Sequence, residues 1–163
     1  MIKLDFMTII SIICTIASVI GAIKSNIYYK KSKQISIYAN TNSAYIETKK
    51  IIETLTEILK LVSEPMKRGK NYTNKVKANG EIIKKSISKI REDLTVEDNK
   101  EVNKLLNSKN LQVEIYIDSF ITGSVLVDKE SIIDDDFYEC QEIFRDLQLL
   151  IKGKLENVGE NLK

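Results

Sequence analysis

An unbroken apolar run opens the chain, and regularly spaced apolar positions in a polar background follow it. The run extends from Phe6 to Ile23, eighteen residues without a charged side chain, and we call it the apolar segment. As a helix it would be about 27 Å long, close to the roughly 30 Å hydrocarbon thickness of a bilayer. The pattern predicts a helix that can span a membrane.

Three interpretations of the apolar segment are open: a membrane anchor, a helix buried in a soluble fold, or a signal peptide. A signal peptide combines a basic start with a cleavage site of small residues. Here the positive charge of Lys3 is balanced by the negative charge of Asp5. The best candidate cleavage site, at residues 19–21, is followed closely by a lysine cluster. We therefore expect a membrane anchor.

Basic and aromatic residues follow the apolar segment directly and are expected to contact the headgroups of a lipid bilayer. These residues are Lys24, Tyr28, Tyr29, Lys30, Lys31 and Lys33. Tyrosine is enriched at membrane interfaces, and lysine clusters are attracted to anionic lipids. Because such lysines remain on the cytoplasmic side, we expect a single-pass plasma-membrane protein with its N-terminus outside and its C-terminal domain in the cytoplasm.

Small and hydroxylated residues within the apolar segment share one side of the predicted helix, and we call them the hydroxyl stripe. They are Thr8, Ser11, Thr15, Ser18 and Ala22, with spacings of three and four residues. In lipid, small residues permit close helix approach and hydroxyls bond across helices. The stripe therefore predicts self-association into a homo-oligomer, or the lining of a pore in that oligomer. Alternatively, the hydroxyls bond back to their own helix.

Amphipathic helical patterns fill the rest of the chain. The first covers residues 35–62 and should end near residues 63–64, because the residue before Pro65 is pushed away from helical dihedrals. Its expected helix-packing seam is Tyr38, Tyr45, Ile52, Leu55, Leu59 and Val62. A second helix gathers around residues 76–94, although Gly80 weakens its first turns.

Two further helices are predicted in the C-terminal half. Thr95 and Asp98 have the spacing of an N-terminal cap, and helical periodicity continues to Phe120 with an interruption near residues 108–110. Residues 111–117 also alternate as a strand would. Residues 134–136, three aspartates favoured by the helix dipole, open the last helix.

Composition supports an all-α fold, because a sheet with many hairpins needs many turn-forming residues and this chain has only one proline and six glycines. We expect a transmembrane anchor with a basic flank at residues 1–33 and a cytosolic antiparallel bundle of about four helices at residues 34–163. Residues 24–91 carry an excess of positive charge and residues 92–163 an excess of negative charge. These halves can pair within one chain or between chains.

Catalysis finds little support in the residue types. The chain has no histidine, the commonest general base and transition-metal ligand. It also lacks phosphate loops, dinucleotide fingerprints and Cys/His clusters. We therefore expect no enzyme and no cofactor or metal. Nucleic-acid binding is disfavoured because no aromatic residue is interleaved among the lysines of the second helix.

The residues SIICTIASVIGAI and the following YYKKSKQ, under a fifth of the chain, carry a resemblance in organisation. The chain resembles small bacterial proteins of antiviral and abortive-infection systems that join one N-terminal span to a helical bundle. Its architecture is also similar to that of eukaryotic cell-death bundle domains. The resemblance implies a membrane effector whose chains associate and perturb or perforate the bilayer. The alternative is a membrane-tethered adaptor or scaffold whose bundle binds another protein.

Overall fold

The computed structural model describes residues 6–63, 71–107, 111–124 and 135–161, and within them it contains five α-helices and no strand. The helices are α1 (Phe6–Ser63), α2 (Tyr72–Asp93), α3 (Val96–Leu106), α4 (Val113–Thr122) and α5 (Asp135–Glu160). The prediction of an all-α protein is confirmed. The basic connector expected after Pro65, at residues 66–72, lies mostly outside the described residues.

Helix α1 joins the apolar segment to the packed part of the protein without a break. Its 58 residues make it about 87 Å long. Residues 6–36 are exposed along their whole length, whereas Ile37 is half-buried and Thr41 is the first buried residue. We call residues 24–36 the stalk and the described residues from 37 onward the core domain. The helix ends at Ser63, as predicted from Pro65.

The predicted third helix is two helices, α3 and α4. Helix α3 starts after the predicted cap: the backbone N–H of Asp98 donates to Thr95 Oγ1 over 3.2 Å, and Thr95 Oγ1 donates to the Asp98 carboxylate over 2.7 Å. Helix α4 ends at Gly123, which adopts the left-handed conformation typical of a C-terminal cap. The strand-like alternation of residues 111–117 is overruled, since residues from Val113 onward are helical.

A single hydrophobic cluster contains buried residues from all five helices. Helix α1 packs against α2 and α5, α2 also packs against α4, and α3 packs against α5. The largest fully buried side chains of the hydrophobic cluster include Phe120, Phe137 and Phe144. Phe120 meets Tyr116 and Phe137 edge to face, with ring centroids 5.0 and 6.4 Å apart. This aromatic cluster joins α4 to the start of α5.

Helix α2 runs in the opposite direction to both α1 and α4 along these contacts. Near the stalk, Ser86 of α2 donates a 2.6 Å hydrogen bond to Glu47 of α1, while residues 57–61 lie beside residues 75–79 at the far end. Gly80 of α2 lies where α4 approaches most closely, because a Cβ there would be 3.0 Å from Ile121 Cγ1 and 3.1 Å from Phe120 Cβ. Gly80, which the sequence suggested only as a weak helical position, serves close packing.

Candidate membrane-association site

The apolar segment is long and apolar enough to cross a membrane, and none of it is buried in the fold. It therefore does not act as a core helix of the packed domain. Five of its seven isoleucines occupy the side of α1 opposite the hydroxyl stripe, at spacings of three and four residues. They are Ile9, Ile13, Ile16, Ile20 and Ile23, each between 43% and 60% exposed.

Hydroxyl groups of the stripe bond to the carbonyls of their own helix. Thr15 Oγ1 donates to the carbonyl oxygen of Ser11, and Ser18 Oγ donates to that of Cys14, each over 2.8 Å. These bonds satisfy the two hydroxyl protons within one chain. The structure thus realises the back-bonding alternative at Thr15 and Ser18. Ala22 and the adjacent Gly21 add no bulk, and a Cβ at Gly21 would meet nothing within 4 Å.

The predicted headgroup-contacting residues all lie on the exposed stalk or at its edge. Tyr28 and Tyr29 are 69% and 68% exposed. The four lysines, Lys24, Lys30, Lys31 and Lys33, are likewise exposed. The stalk adds about 20 Å of helix between the apolar segment and the core domain. Its formal charge is positive, because residues 24–36 contain no acidic side chain.

The predicted packing seam of α1 lies at the edge of the true packing face. Of its members, Leu55 and Val62 are buried, Tyr45, Ile52 and Leu59 are partly buried against the core, and Tyr38 remains 39% exposed. The centre of the face is formed by Leu55 of the predicted seam together with Ala44, Ile51 and Ile58, which lie beside the seam in the sequence pattern. None of the four has exposed surface. A Cβ on Gly159 of α5 would lie 3.4 Å from the Tyr38 ring, so this tyrosine borders the end of α5.

Buried threonines on α1 are a feature that the hydrophobic pattern did not reveal. Thr41, Thr48 and Thr54 are at most 6% exposed. Each hydroxyl donates to a carbonyl of its own helix over 2.7–2.8 Å. A hydroxyl satisfied in this way can be buried without an unpaired donor. Their regular spacing beside Ala44 and Ile51 was the signal available in the sequence.

Charged residues of the basic and acidic halves pair within one chain at several places. Lys84 of α2 lies 2.6 Å from Asp118 of α4, and Arg91 of α2 forms an ion pair with Glu114 of α4. These pairs link the two halves across the α2–α4 contact. Part of the charge complementarity seen in the sequence is thus used inside the chain.

Lys154 of α5 binds two carboxylates of α3, Asp98 and Glu101, each at 2.7 Å. Burial disfavours the Lys154 ammonium, but its bonds to both carboxylates outweigh this and raise the pKa of Lys154. Burial likewise disfavours the Asp98 carboxylate, but hydrogen bonds from Lys154 and Thr95 lower the pKa of Asp98. The cluster fixes α3 on α5.

The two cysteines differ in their surroundings. Cys140 is buried in the core, and burial raises its pKa to about 12, so it carries almost no thiolate at neutral pH. Cys14 is exposed on the apolar segment beside the hydroxyl stripe. They are far apart along the structure and both are free thiols.

A groove of about 410 Å³ between α1 and α2 is lined by Lys50, Lys84, Lys85 and Lys89. Glu47 and Glu92 share this lining, while Asp118 and Asp93 pair with Lys84 and Lys89. The positive charge is therefore largely balanced locally. In the described part of the chain, no group of three or more Cys, Asp or Glu side chains could hold a metal ion.

Comparison of the chain with protein-family models, curated proteins and solved structures finds no match.

Proposed function

We propose that this chain is a non-enzymatic, single-pass membrane protein that self-associates and perturbs or perforates the bilayer in response to a partner or signal. The apolar segment spans the plasma membrane with the N-terminus outside, and an antiparallel helical bundle faces the cytoplasm. The resemblance to membrane-anchored bundles of antiviral systems makes a bacterial defence effector the proposed biological class.

The observation that carries the proposal is the continuity of α1. One helix runs from the exposed apolar segment through the stalk into the buried face of the core domain. A movement of the core domain would therefore be transmitted to the membrane segment as a movement of a rigid rod. An adaptor needs only a tether, and a flexible one would serve it equally well.

Support for self-association comes from the hydroxyl stripe. Thr41 and Thr48 on the packed half of α1 are back-bonded and also buried against other helices. Thr15 and Ser18 make the same kind of bond in the exposed half. Their back-bonding is thus compatible with close packing, and in lipid small residues are the usual means of helix association.

The decisive experiment replaces Thr8, Ser11, Thr15 and Ser18 together by leucine and measures membrane potential on expression in the presence of the trigger. We expect depolarisation to be lost while the protein still fractionates with membranes, because leucine retains hydrophobicity but prevents close approach. The matched control replaces Ile9, Ile13, Ile16 and Ile20 on the opposite face by leucine and should retain activity.

The adaptor alternative gives the opposite result. An adaptor would tolerate all four leucine substitutions, and a foreign span of equal length would restore its full activity. That outcome would overturn the effector proposal and direct attention to a protein partner of the core domain.

A further inference from the structure

A second face of α1 runs along the stalk and the start of the core domain, on the side opposite the buried face of the helix. Its residues follow spacings of four and three, and we call them the outer seam. They are Tyr28, Ser32, Ile35, Ala39, Asn42 and Ile46. All are exposed except Asn42, which is half-buried, and Ile35 and Ile46 are 58% and 55% exposed.

The outer seam continues a seven-residue repeat that begins in the apolar segment. Every seventh residue from Ser11 is small as far as Ala39, and the next is Ile46: the series is Ser11, Ser18, Ser25, Ser32, Ala39 and Ile46. A repeat of seven, sustained over several turns, is typical of helices that supercoil around each other.

Charge is distributed around the stalk so that the outer seam stays neutral. The stalk contains four lysines, yet none occupies a position of the outer seam. Lys30 lies on nearly the opposite side of the helix from Ser32, and Lys24, Lys31 and Lys33 project to its flanks. Identical chains side by side could therefore approach along this seam without bringing like charges into contact.

Packing within the chain uses another side of α1. Where the two faces overlap, Ala44 and Ile51 point into the core with no exposed surface, while Ile46 points out. From residue 11 to residue 46 the free face is about 54 Å long. A strip about 10 Å wide would bury about 1,100 Å² in a pair, of which about 700 Å², from residues 24–46, lies outside the apolar segment, a size typical of weak interfaces.

From this geometry we infer that the outer seam binds the outer seam of a second copy, forming a parallel, in-register coiled coil that continues from the membrane segment to Ile46. The parallel orientation rests on the proposed function, because two copies anchored in one membrane point the same way. In register, Asn42 of one copy faces Asn42 of the other, and the two amide side chains can form hydrogen bonds across the seam.

Disulfide crosslinking in native membranes tests this inference with two matched positions. In a chain carrying Cys14→Ala, with buried Cys140 retained, Ser32→Cys is compared with Gln34→Cys. The two positions are two residues apart, so they lie at the same height but about 160° apart around α1. We expect about tenfold more covalent dimer from Ser32→Cys under mild oxidation, because a disulfide needs Cβ atoms about 4 Å apart.

A second substitution tests whether the seam itself brings the chains together. Ile46→Glu, added to Ser32→Cys, should reduce the dimer yield to that of Gln34→Cys, because like charges would then meet across the seam. Equal yields from positions 32 and 34, or a yield unchanged by Ile46→Glu, would overturn the inference.

Failure here is distinguishable from failure of the proposed function. Membrane fractionation and depolarisation are measured on the same cells. If the protein depolarises the membrane but crosslinks equally at positions 32 and 34, the proposed function stands and the outer-seam contact is rejected. If the protein crosslinks preferentially at position 32 but leaves the membrane potential unchanged, the outer-seam contact stands and the effector function is rejected.

Discussion

The two halves of α1 contain the same kinds of residue in opposite surroundings. Residues 6–36 are exposed throughout, whereas the face formed by residues such as Thr48 and Ile51 is fully buried. Both halves carry threonines whose hydroxyls bond to their own backbone carbonyls. The difference therefore lies in what covers the helix, not in its local hydrogen bonding.

This contrast bears on how the exposed half is stabilised. The packed half is held by α2 and α5, while residues 6–36 are all exposed. In proteins most helical stability comes from tertiary packing rather than from intrinsic propensity. An exposed helical extension is therefore understandable if lipid or a second copy surrounds it. Substitutions at matched positions in the two surroundings should therefore change the free energy of unfolding by different amounts.

The largest difference should come from removing a core aromatic. Phe120→Ala should lower the free energy of unfolding by about 3–5 kcal/mol, because Phe120 is fully buried between Tyr116 and Phe137. Ile16→Ala in the exposed half should leave it unchanged. Urea unfolding of the detergent-solubilised protein, followed by tyrosine fluorescence, measures both. A similar loss from Ile16→Ala would mean that the apolar segment packs on the core domain.

Two glycines test close approach in the packed region. Gly80→Val should cost about 1–3 kcal/mol, because even its Cβ would press against Ile121 and Phe120. Gly153→Val on α5 is the matched control, since a Cβ there meets nothing within 4 Å. Valine has a lower helix propensity than alanine but a higher one than glycine, so Gly153→Val should not lower the free energy of unfolding. Thermal unfolding of both variants decides; equal melting temperatures would show that α2 and α4 can separate.

The ion cluster on α5 should have a smaller effect. Lys154→Met should lower stability by about 1–2 kcal/mol, because it leaves Asp98 and Glu101 without their shared partner. Lys152→Met, whose only described ion pair is an exposed one with Glu156, should cost under about 0.5 kcal/mol. Urea midpoints at neutral pH measure the two, and equal costs would contradict the role of the cluster.

The pH dependence of that cluster follows from the pKa directions. The lowered pKa of Asp98 gives stability that is present above its unfolded value, about 4, and is lost as pH falls through the folded value. The raised pKa of Lys154 gives stability present below about 10.4 and lost at higher pH. The advantage of the wild type over Lys154→Met should therefore be flat from about pH 5 to 9 and decline below pH 4.

How far the sequence predicts this molecule depends on whether a feature is local. The apolar segment, the end of α1 before Pro65 and the Thr95 cap follow from neighbouring residues, and they appear in the structure. The predicted α1 seam includes Leu55 and Val62 of the buried face but not Thr41 and Thr48, which look polar until their hydrogen bonds to their own helix are known. The close approach at Gly80 depends on α4, forty residues away, which no local pattern encodes.

The smallest expected change in unfolding free energy comes from Thr95, whose hydroxyl caps α3, and it is compared with Thr15, whose hydroxyl bonds to its own helix. Thr95→Ala should cost about 1 kcal/mol, because Thr95 Oγ1 accepts from the backbone N–H of Asp98, a donor at the start of α3 that has no intrahelical partner. Thr15→Ala removes a hydroxyl that only returned to a carbonyl already bonded within α1, so the unfolding free energy of the core domain should not change. Urea titrations resolve the two. A measurable loss from Thr15→Ala in monomeric, detergent-solubilised protein would mean that the exposed half of α1 contributes to the core domain, and the contrast between the two halves would fail.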